Sequence, residues 1–588
     1  MKKVRKIFNW FFILLVFFLR ATVVVAQQRD TVDQKMIVYQ MMVRLFGNTN
    51  STNAYYGSIQ QNGVGKFGDI NGKALEELKK LGVSHVWYTG VIAHATMTDY
   101  RAFGIQPDDP DIVKGRAGSP YAIRDYYDVD PDLAVDVNSR MKEFESLVDR
   151  THQHGLKVLI DFVPNHVART YHSKTNTFGV NDDTTKAFSA SNDFYYITGK
   201  SFIVPGGVNA GGDDFKSPLK DGKFAESPAK ATGNNVFSNK PSIDDWYETI
   251  KLNYGVDYLN KEEKHFQPIP PVWTKMRDIL LFWAGKHVDG FRCDMAEMVP
   301  VEFWSWAIPQ VRKVNPAIVF IAEAYNPDVY RKYLGEGGFD YLYDKVGLYD
   351  AVKRLTKNEA KGNTKDIVSI ASNERSNYYG KLLRFMENHD EERIASKDFA
   401  QDAWKAVPGM VVSATLSNGP LMLYFGQEVG EKGEGKEGFG GDDNRTTMFD
   451  YWGVPAHQRW MNDGAFDGTK LSADQKALRS FYVSLLNAVK SNEAICKGKF
   501  VVIDQPEAGD KTIAYVRYTE KKKVLVVANF HAEKALATNI VLPAEVSLSK
   551  QTVTVTDILS HRKRTLKNAG KGINVQVPSM RAVILEID

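Results

Sequence analysis

Short continuous apolar runs alternate, along most of this chain, with segments in which apolar residues recur every third or fourth position. The run from Met36 to Phe46 is strand-like and ends in a Gly/Asn/Thr-rich loop. Leu75, Leu78 and Leu81 then form a helical stripe, opened by Asn71 as N-cap and stopped by Gly82, before the strand-like stretch Val83 to Tyr88. The unit repeats. A helix over 139–153, with Met141, Phe144, Leu147 and Val148 on one side, leads into a strand over 156–163; a helix over 272–286 leads to 288–294, and one over 301–314 to 317–323. Further strands are predicted at 339–343, 382–386 and 420–425. Six or more such alternations predict an α/β chain built on a closed parallel (β/α)8 TIM barrel, whose active site lies at the C-terminal ends of the strands.

Two regions break the rhythm. Over 167–270 the helical period vanishes, Gly, Asn, Asp and Ser accumulate and aromatics are scattered through. A structureless loop that long is improbable, so it reads as a subdomain inserted after the third strand and overhanging the barrel mouth. From about Phe500 the period becomes two, with strands expected at 512–518, 523–530, 539–542, 552–558 and 581–587, the pattern of an antiparallel β-sandwich domain. The expected division is therefore a barrel of 27–166 and 271–490, an inserted subdomain of 167–270 and a C-terminal domain of 491–588. Residues 1–26 pair a basic start with the apolar run Ile7 to Leu19 and small residues before a cut after Ala26, a secretory signal peptide that places the mature protein in the periplasm or outside the cell.

A chain of 588 residues, 43% hydrophobic and 12% aromatic, is core-forming and long enough for several domains. Its net charge is +4, but Lys2, Lys3, Arg5, Lys6 and Arg20 lie in the leader, so the remainder is near neutral and a nucleic-acid partner has no electrostatic support. No stable membrane partner is expected once the leader is removed. Two cysteines, Cys293 and Cys496, make neither a disulfide framework nor a zinc site.

The stretch Val288 to Asp294 places Arg292 and Asp294 on one face of a short buried strand, a guanidinium beside a carboxylate. Alone, that pattern suits a structural ion pair at least as well as a nucleophile. Other strand ends add Asp161 with Asn165 and His166, then Glu323, then Asn388, His389 and Asp390. Four carboxylates converging with an arginine and histidines disfavour stability, because like charges raise one another's proton affinity; they suit glycoside cleavage, which needs a nucleophilic carboxylate and a protonated carboxylic acid on either side of the anomeric carbon.

Asp161 to His166 (DFVPNH), Gly290 to Asp294 (GFRCD), Ile321 to Glu323 (IAE) and Glu387 to Asp390 (ENHD) resemble, in order, the four signature regions of the α-amylase superfamily, glycoside hydrolase family thirteen. Ser119 to Pro131 and Gly419 to Glu428, with Asn444 and Arg445 after them, resemble its flanking stretches. The resemblance implies Asp294 as nucleophile, Glu323 as general acid/base and Asp390 as transition-state stabiliser. It implies that Arg292 orients Asp294, that His166 and His389 bind hydroxyls of the sugar at the cleavage point, that Tyr121 stacks under its ring, and that Asp161 supports the site; the bare pattern around Tyr121 also suits a core tyrosine. Asn165 matches a position that binds structural calcium in many relatives. No cofactor is required for the chemistry, and calcium is left open because no oxygen-rich loop of convincing spacing accompanies Asn165. Two departures fall at substrate-contact positions: Glu297 and Met298 stand where many α-amylases have a Lys-His pair, and Ser119 where a histidine is frequent. The implied activity is retaining hydrolysis of α-1,4-linked glucose polymers or maltooligosaccharides. The alternatives are a transglycosylase or sugar isomerase of the same family, and a glucan-binding protein on an inactive barrel.

Overall fold

The computed structural model describes residues 34–504, 509–548 and 551–588; the expected signal peptide lies outside them. Eight parallel strands form one sheet: β1 (Ile37–Met42), β2 (His85–Thr89), β3 (Lys157–Phe162), β4 (Gly290–Cys293), β5 (Val319–Ala322), β6 (Tyr341–Tyr343), β7 (Leu382–Leu383) and β8 (Leu421–Tyr424). They pair in the order β7-β6-β5-β4-β3-β2-β1-β8. A parallel bridge between Arg384 and Leu421 joins the two ends. The barrel is thereby closed.

Local chemistry explains the elements. Helix α1 (Gly72–Leu81) starts at Asn71, whose side-chain oxygen accepts from the N–H groups of Lys73 and Ala74, and stops at Gly82 in the left-handed region at φ 108°. It buries Ala74, Leu75, Leu78 and Leu81, each leucine contributing about 1.5–3 kcal/mol. Helices α2 (Arg140–Gln153), α3 (Pro271–Gly285) and α4 (Val301–Val314) follow the same logic, α3 turning Val272, Met276, Ile279, Leu280 and Trp283 inward. At the start of β4, Gly290 is demanded by close approach: a Cβ there would lie 2.5 Å from the Val319 carbonyl oxygen and 2.7 Å from Leu159. Val38, Trp87, Leu159, Ile321, Leu383 and Met422 fill the barrel interior, so it is a packed core with chemistry only at its mouth.

Some expectations shift. The run Met36 to Phe46 is not one strand: β1 ends at Met42 and Val43–Phe46 coil into a helical turn. The cause is Arg44, which is buried and must find acceptors, donating from Nη1 to the carbonyls of Gly118 and Met448, both at 3.1 Å. The stretch 382–386 yields only a two-residue strand before the Arg384 bridge.

Between β3 and α3 the chain forms short antiparallel ladders, His166–Ala168 with Thr249–Lys251, Tyr196–Ile197 with Ala229–Lys230, and Val256–Asp257 with Glu263–Lys264. At the C-terminal end, β9 (Lys499–Ile503), β10 (Thr512–Tyr518), β11 (Lys523–Asn529), β13 (Thr552–Asp557), β14 (Lys563–Lys567) and β16 (Arg581–Ile587) make an antiparallel sheet ordered β9-β10-β11-β16-β13-β14. Strands β12 (Leu536–Ile540) and β15 (Ile573–Val577) pair as a second layer. Val516, Leu525, Val527, Ile540, Ile573 and Val575 are buried in one core shared by the two. Strand β14 gave no periodic signal because it is an edge strand, largely exposed and rich in lysine and arginine.

Candidate active site

Strand ends β3, β4, β5 and β7 deliver Asp161, Arg292 with Asp294, Glu323, and His389 with Asp390 to one place. Arg292 organises them. Its side chain is 1% exposed, and Nη1 donates to Asp294 Oδ1 at 2.8 Å and to Asp161 Oδ1 at 3.3 Å, while Nη2 pairs with Glu323 Oε1 at 2.8 Å and Nε donates to the Tyr343 hydroxyl at 3.2 Å. The rings of Trp87, Tyr121 and Tyr343 stand within 5.5 Å of its charge. A planar fork suits this work because it can meet several carboxylates at fixed angles.

Each carboxylate has its own environment. Asp161 accepts from Trp87 Nε1 at 2.9 Å and is pushed up to about 7 by burial, against the pull of Arg292. Asp294 is raised by burial and held down by Arg292; its Oδ2 is buried without a hydrogen-bond partner. Glu323 is raised by burial, opposed by Arg292 and pushed further by the charge of Asp294; Oε2 accepts from the Met295 N–H at 2.7 Å and Oε1 from the Tyr325 hydroxyl at 2.6 Å. Asp390 is raised by loss of water and then by Glu323, although its side chain remains 32% exposed on the cavity wall, which moderates the effect. One guanidinium faces several carboxylates, so burial and like-charge repulsion raise the proton affinity of the group as a whole.

His389 stacks on Tyr121 with ring centroids 5.2 Å apart; its Nε2 lies 2.5 Å from the Tyr121 hydroxyl and its Nδ1 2.7 Å from Gln40 Nε2. Burial lowers its proton affinity, followed by the charge of Arg292, so the imidazole is neutral. His166, lowered to about 4 chiefly by burial, sits 5.2 Å from the ring of Trp246. Tyr121, His166, Asp294, Glu323, His389 and Asp390 line a cavity of about 860 Å³ together with Tyr55, Tyr56, Trp246, Tyr247, Tyr325 and Phe449. Its size and mixture of aromatic faces with a few polar groups suit a small chain of sugar rings.

The calcium left open at Asn165 does not fit. Asn165 Oδ1 accepts from the buried amino group of Lys251 at 2.6 Å and its Nδ2 donates to the Gly233 carbonyl at 2.8 Å. That oxygen is already engaged by the Lys251 amino group, whose proton affinity burial lowers to about 7, and among the described residues no three His, Cys, Asp or Glu side chains are grouped to hold an ion. Of the two departures, Ser119 Oγ accepts the Tyr121 N–H at 3.2 Å, and Glu297 accepts the Asn326 N–H at 3.0 Å. Ser119 also lines the cavity.

Sequence reading passed over Gln40, Trp87, Met295, Tyr325 and Tyr343. Gln40 carried a signal: it is the single polar residue in the otherwise apolar strand Ile37–Met42. The aromatics carried none, since a tyrosine or tryptophan in or beside a barrel strand reads equally as core.

A family model described as the catalytic domain of alpha amylase matches residues 40–498. The chain belongs to the α-amylase family. It is 21% identical over 522 residues to Alpha-amylase 3 of Dictyoglomus thermophilum, covering 84% of each chain. It is 27% identical over 425 residues to an α-1,4-glucan:maltose-1-phosphate maltosyltransferase of Cereibacter sphaeroides, covering 71% of this chain and 54% of that one. Among solved structures, the α-amylase of Geobacillus thermoleovorans complexed with acarbose superposes with a TM-score of 0.60 at 18% identity, over 95% of this chain and 99% of that one. The protein is an enzyme of the α-amylase, glycosidase family with a (β/α)8 barrel.

Proposed function

We propose that this α-amylase-family protein is an exported retaining hydrolase that cleaves α-1,4-glucosidic bonds in starch-like polysaccharide or maltooligosaccharides. The observation that carries the reading is the Arg292 fork, which holds Asp294 and Glu323 side by side on its two terminal nitrogens at the floor of the cavity. Retention needs its two carboxyl groups close, about 5–5.5 Å apart, rather than the wider spacing that admits a water between them.

Arg292 donates a hydrogen bond to Asp294 and keeps it ionised, while the charge of Asp294 adds to burial in favouring the proton on Glu323. Asp294 attacks the anomeric carbon as Glu323 gives its proton to the glycosidic oxygen, which leaves with the bonding pair. Glu323 then takes a proton from water as the water oxygen attacks the anomeric carbon and the ester to Asp294 breaks. Asp390, Tyr121, His389 and His166 grip the sugar at the cleavage point. Lys251 ties the inserted segment to the end of β3 through Asn165. The basic, apolar leader supports export to the periplasm or beyond; among the described residues no helix is long and apolar enough to cross a membrane.

Transfer of a glucosyl unit to a sugar is the second reading, favoured by the maltosyltransferase relative. Both are tested by proton NMR of the leaderless protein acting on maltoheptaose, with Asp294→Asn alongside. Early α-anomeric products from the wild type alone establish retaining hydrolysis, longer or relinked sugars establish transfer, and glucan binding without turnover refutes both in favour of a binding protein.

A further inference from the structure

Tyr325 stands two residues beyond Glu323, past the end of β5. Its ring packs against the inner-barrel cluster and borders the cavity, and its hydroxyl donates to Glu323 Oε1 at 2.6 Å. The same oxygen faces Arg292 Nη2 at 2.8 Å. The other oxygen, Oε2, receives the Met295 N–H at 2.7 Å. Met295 directly follows Asp294 and adopts φ 41°, ψ 43°, a left-handed conformation that costs a non-glycine residue of order 1 kcal/mol or more and is held where the surrounding structure requires it. The carboxyl group of Glu323 is thus held at both oxygens. Oε1 takes the Tyr325 hydroxyl and faces the positive charge of Arg292, both of which disfavour a proton there, whereas Oε2 meets only the Met295 N–H.

We propose that Tyr325 is a positioning residue for the acid/base Glu323: by occupying Oε1 together with Arg292, its hydroxyl places the transferable proton on Oε2. The inference rests on the retaining-hydrolase reading and assigns within it the atom that carries the proton. In the first half-reaction the proton on Oε2 passes to the glycosidic oxygen as the bond from that oxygen to the anomeric carbon breaks and the bond to Asp294 forms. In the second, Oε2 takes a proton from water as the water oxygen bonds to the anomeric carbon and the Asp294 ester breaks. The Tyr325 hydroxyl donates to Oε1 throughout and neither gains nor loses a proton.

Tyr325→Phe removes the hydroxyl and leaves the ring. The charged and titratable groups facing Glu323 are Arg292 and Asp294 from β4, Asp161 from β3, Tyr343 from β6 and Asp390 from the loop after β7, and the substitution leaves all of them in place. Losing a donor to the ionised carboxylate shifts the alkaline limb of the pH profile upward. The test compares kcat/KM for maltoheptaose, whose leaving oxygen needs a proton, with that for α-maltosyl fluoride, whose fluoride does not. The expected result is a loss of about tenfold or more with maltoheptaose, a loss under about threefold with the fluoride, and the upward shift, with unchanged thermal unfolding. Equal losses on both substrates with an unmoved pH profile would show a merely structural tyrosine, and wild-type kinetics on both would show an idle one; either overturns the proposal. A wild type inactive on both substrates would overturn the hydrolase reading and this inference with it.

Discussion

Replacing Arg292 by methionine tests the electrostatic organisation of the site. The guanidinium is 1% exposed and faces Asp294 at 2.8 Å, Glu323 at 2.8 Å and Asp161 at 3.3 Å. Methionine restores most of the volume but none of the charge, leaving three largely buried carboxylates without their cation. Removing one partner of a buried pair costs about 3–5 kcal/mol when the remaining charge is kept. Here that cost depends on pH. Burial already raises Asp161, Asp294 and Glu323, and Arg292 is the largest effect opposing it on each. Without it their folded-state values stand further above the unfolded ones, near 4. Such groups contribute stability that is present below the unfolded value and lost as pH rises through the folded one. Urea unfolding followed by tryptophan fluorescence should therefore show Arg292→Met losing about 3–5 kcal/mol at pH 8 and clearly less at pH 4.5. Because Asp294 is protonated over more of the range, kcat/KM on maltoheptaose at pH 7 should fall by about 10²–10³, and the acid limb of its pH profile should move up. A stability loss equal at both pH values, with an unmoved acid limb, would refute the argument that Arg292 acts by holding these carboxylates ionised.

Three further outcomes are expected. Dialysis against EDTA should leave the melting temperature and activity unchanged, because the Lys251 amino group already engages the Asn165 oxygen; Lys251→Met should lower the melting temperature by stranding that oxygen, a loss of about 1–3 kcal/mol, and an EDTA-sensitive wild type would contradict the assignment. Gly290→Ala should destabilise the protein by about 1–3 kcal/mol in urea unfolding, since its Cβ would be forced to 2.5 Å from the Val319 carbonyl oxygen; a wild-type midpoint would show that β4 and β5 can separate freely.

What the chain's order of residues determined by itself was the set of local choices and their sequence. Helix α1 begins at Asn71 and ends at Gly82 because one side chain can cap and one residue can turn left-handed without strain, and both facts are written in the residues. Strands β10 and β16 showed their bounds through period-two alternation, and four motifs in order pointed to Asp294, Glu323 and Asp390. Tertiary structure decided everything that depends on who meets whom. Arg44 breaks its strand because its acceptors, Gly118 and Met448, come from distant loops. Asn165 meets an amino group because antiparallel pairing sets His166 opposite Lys251, 85 positions along the chain. Tyr325 matters only because its hydroxyl reaches Glu323, and nothing about a tyrosine two residues past a strand announces that. Periodicity and capping are short-range properties, satisfied within a few residues. Proton affinity, ion pairing and cation choice depend on desolvation and on groups brought close from far along the chain, and those exist only once the barrel has closed.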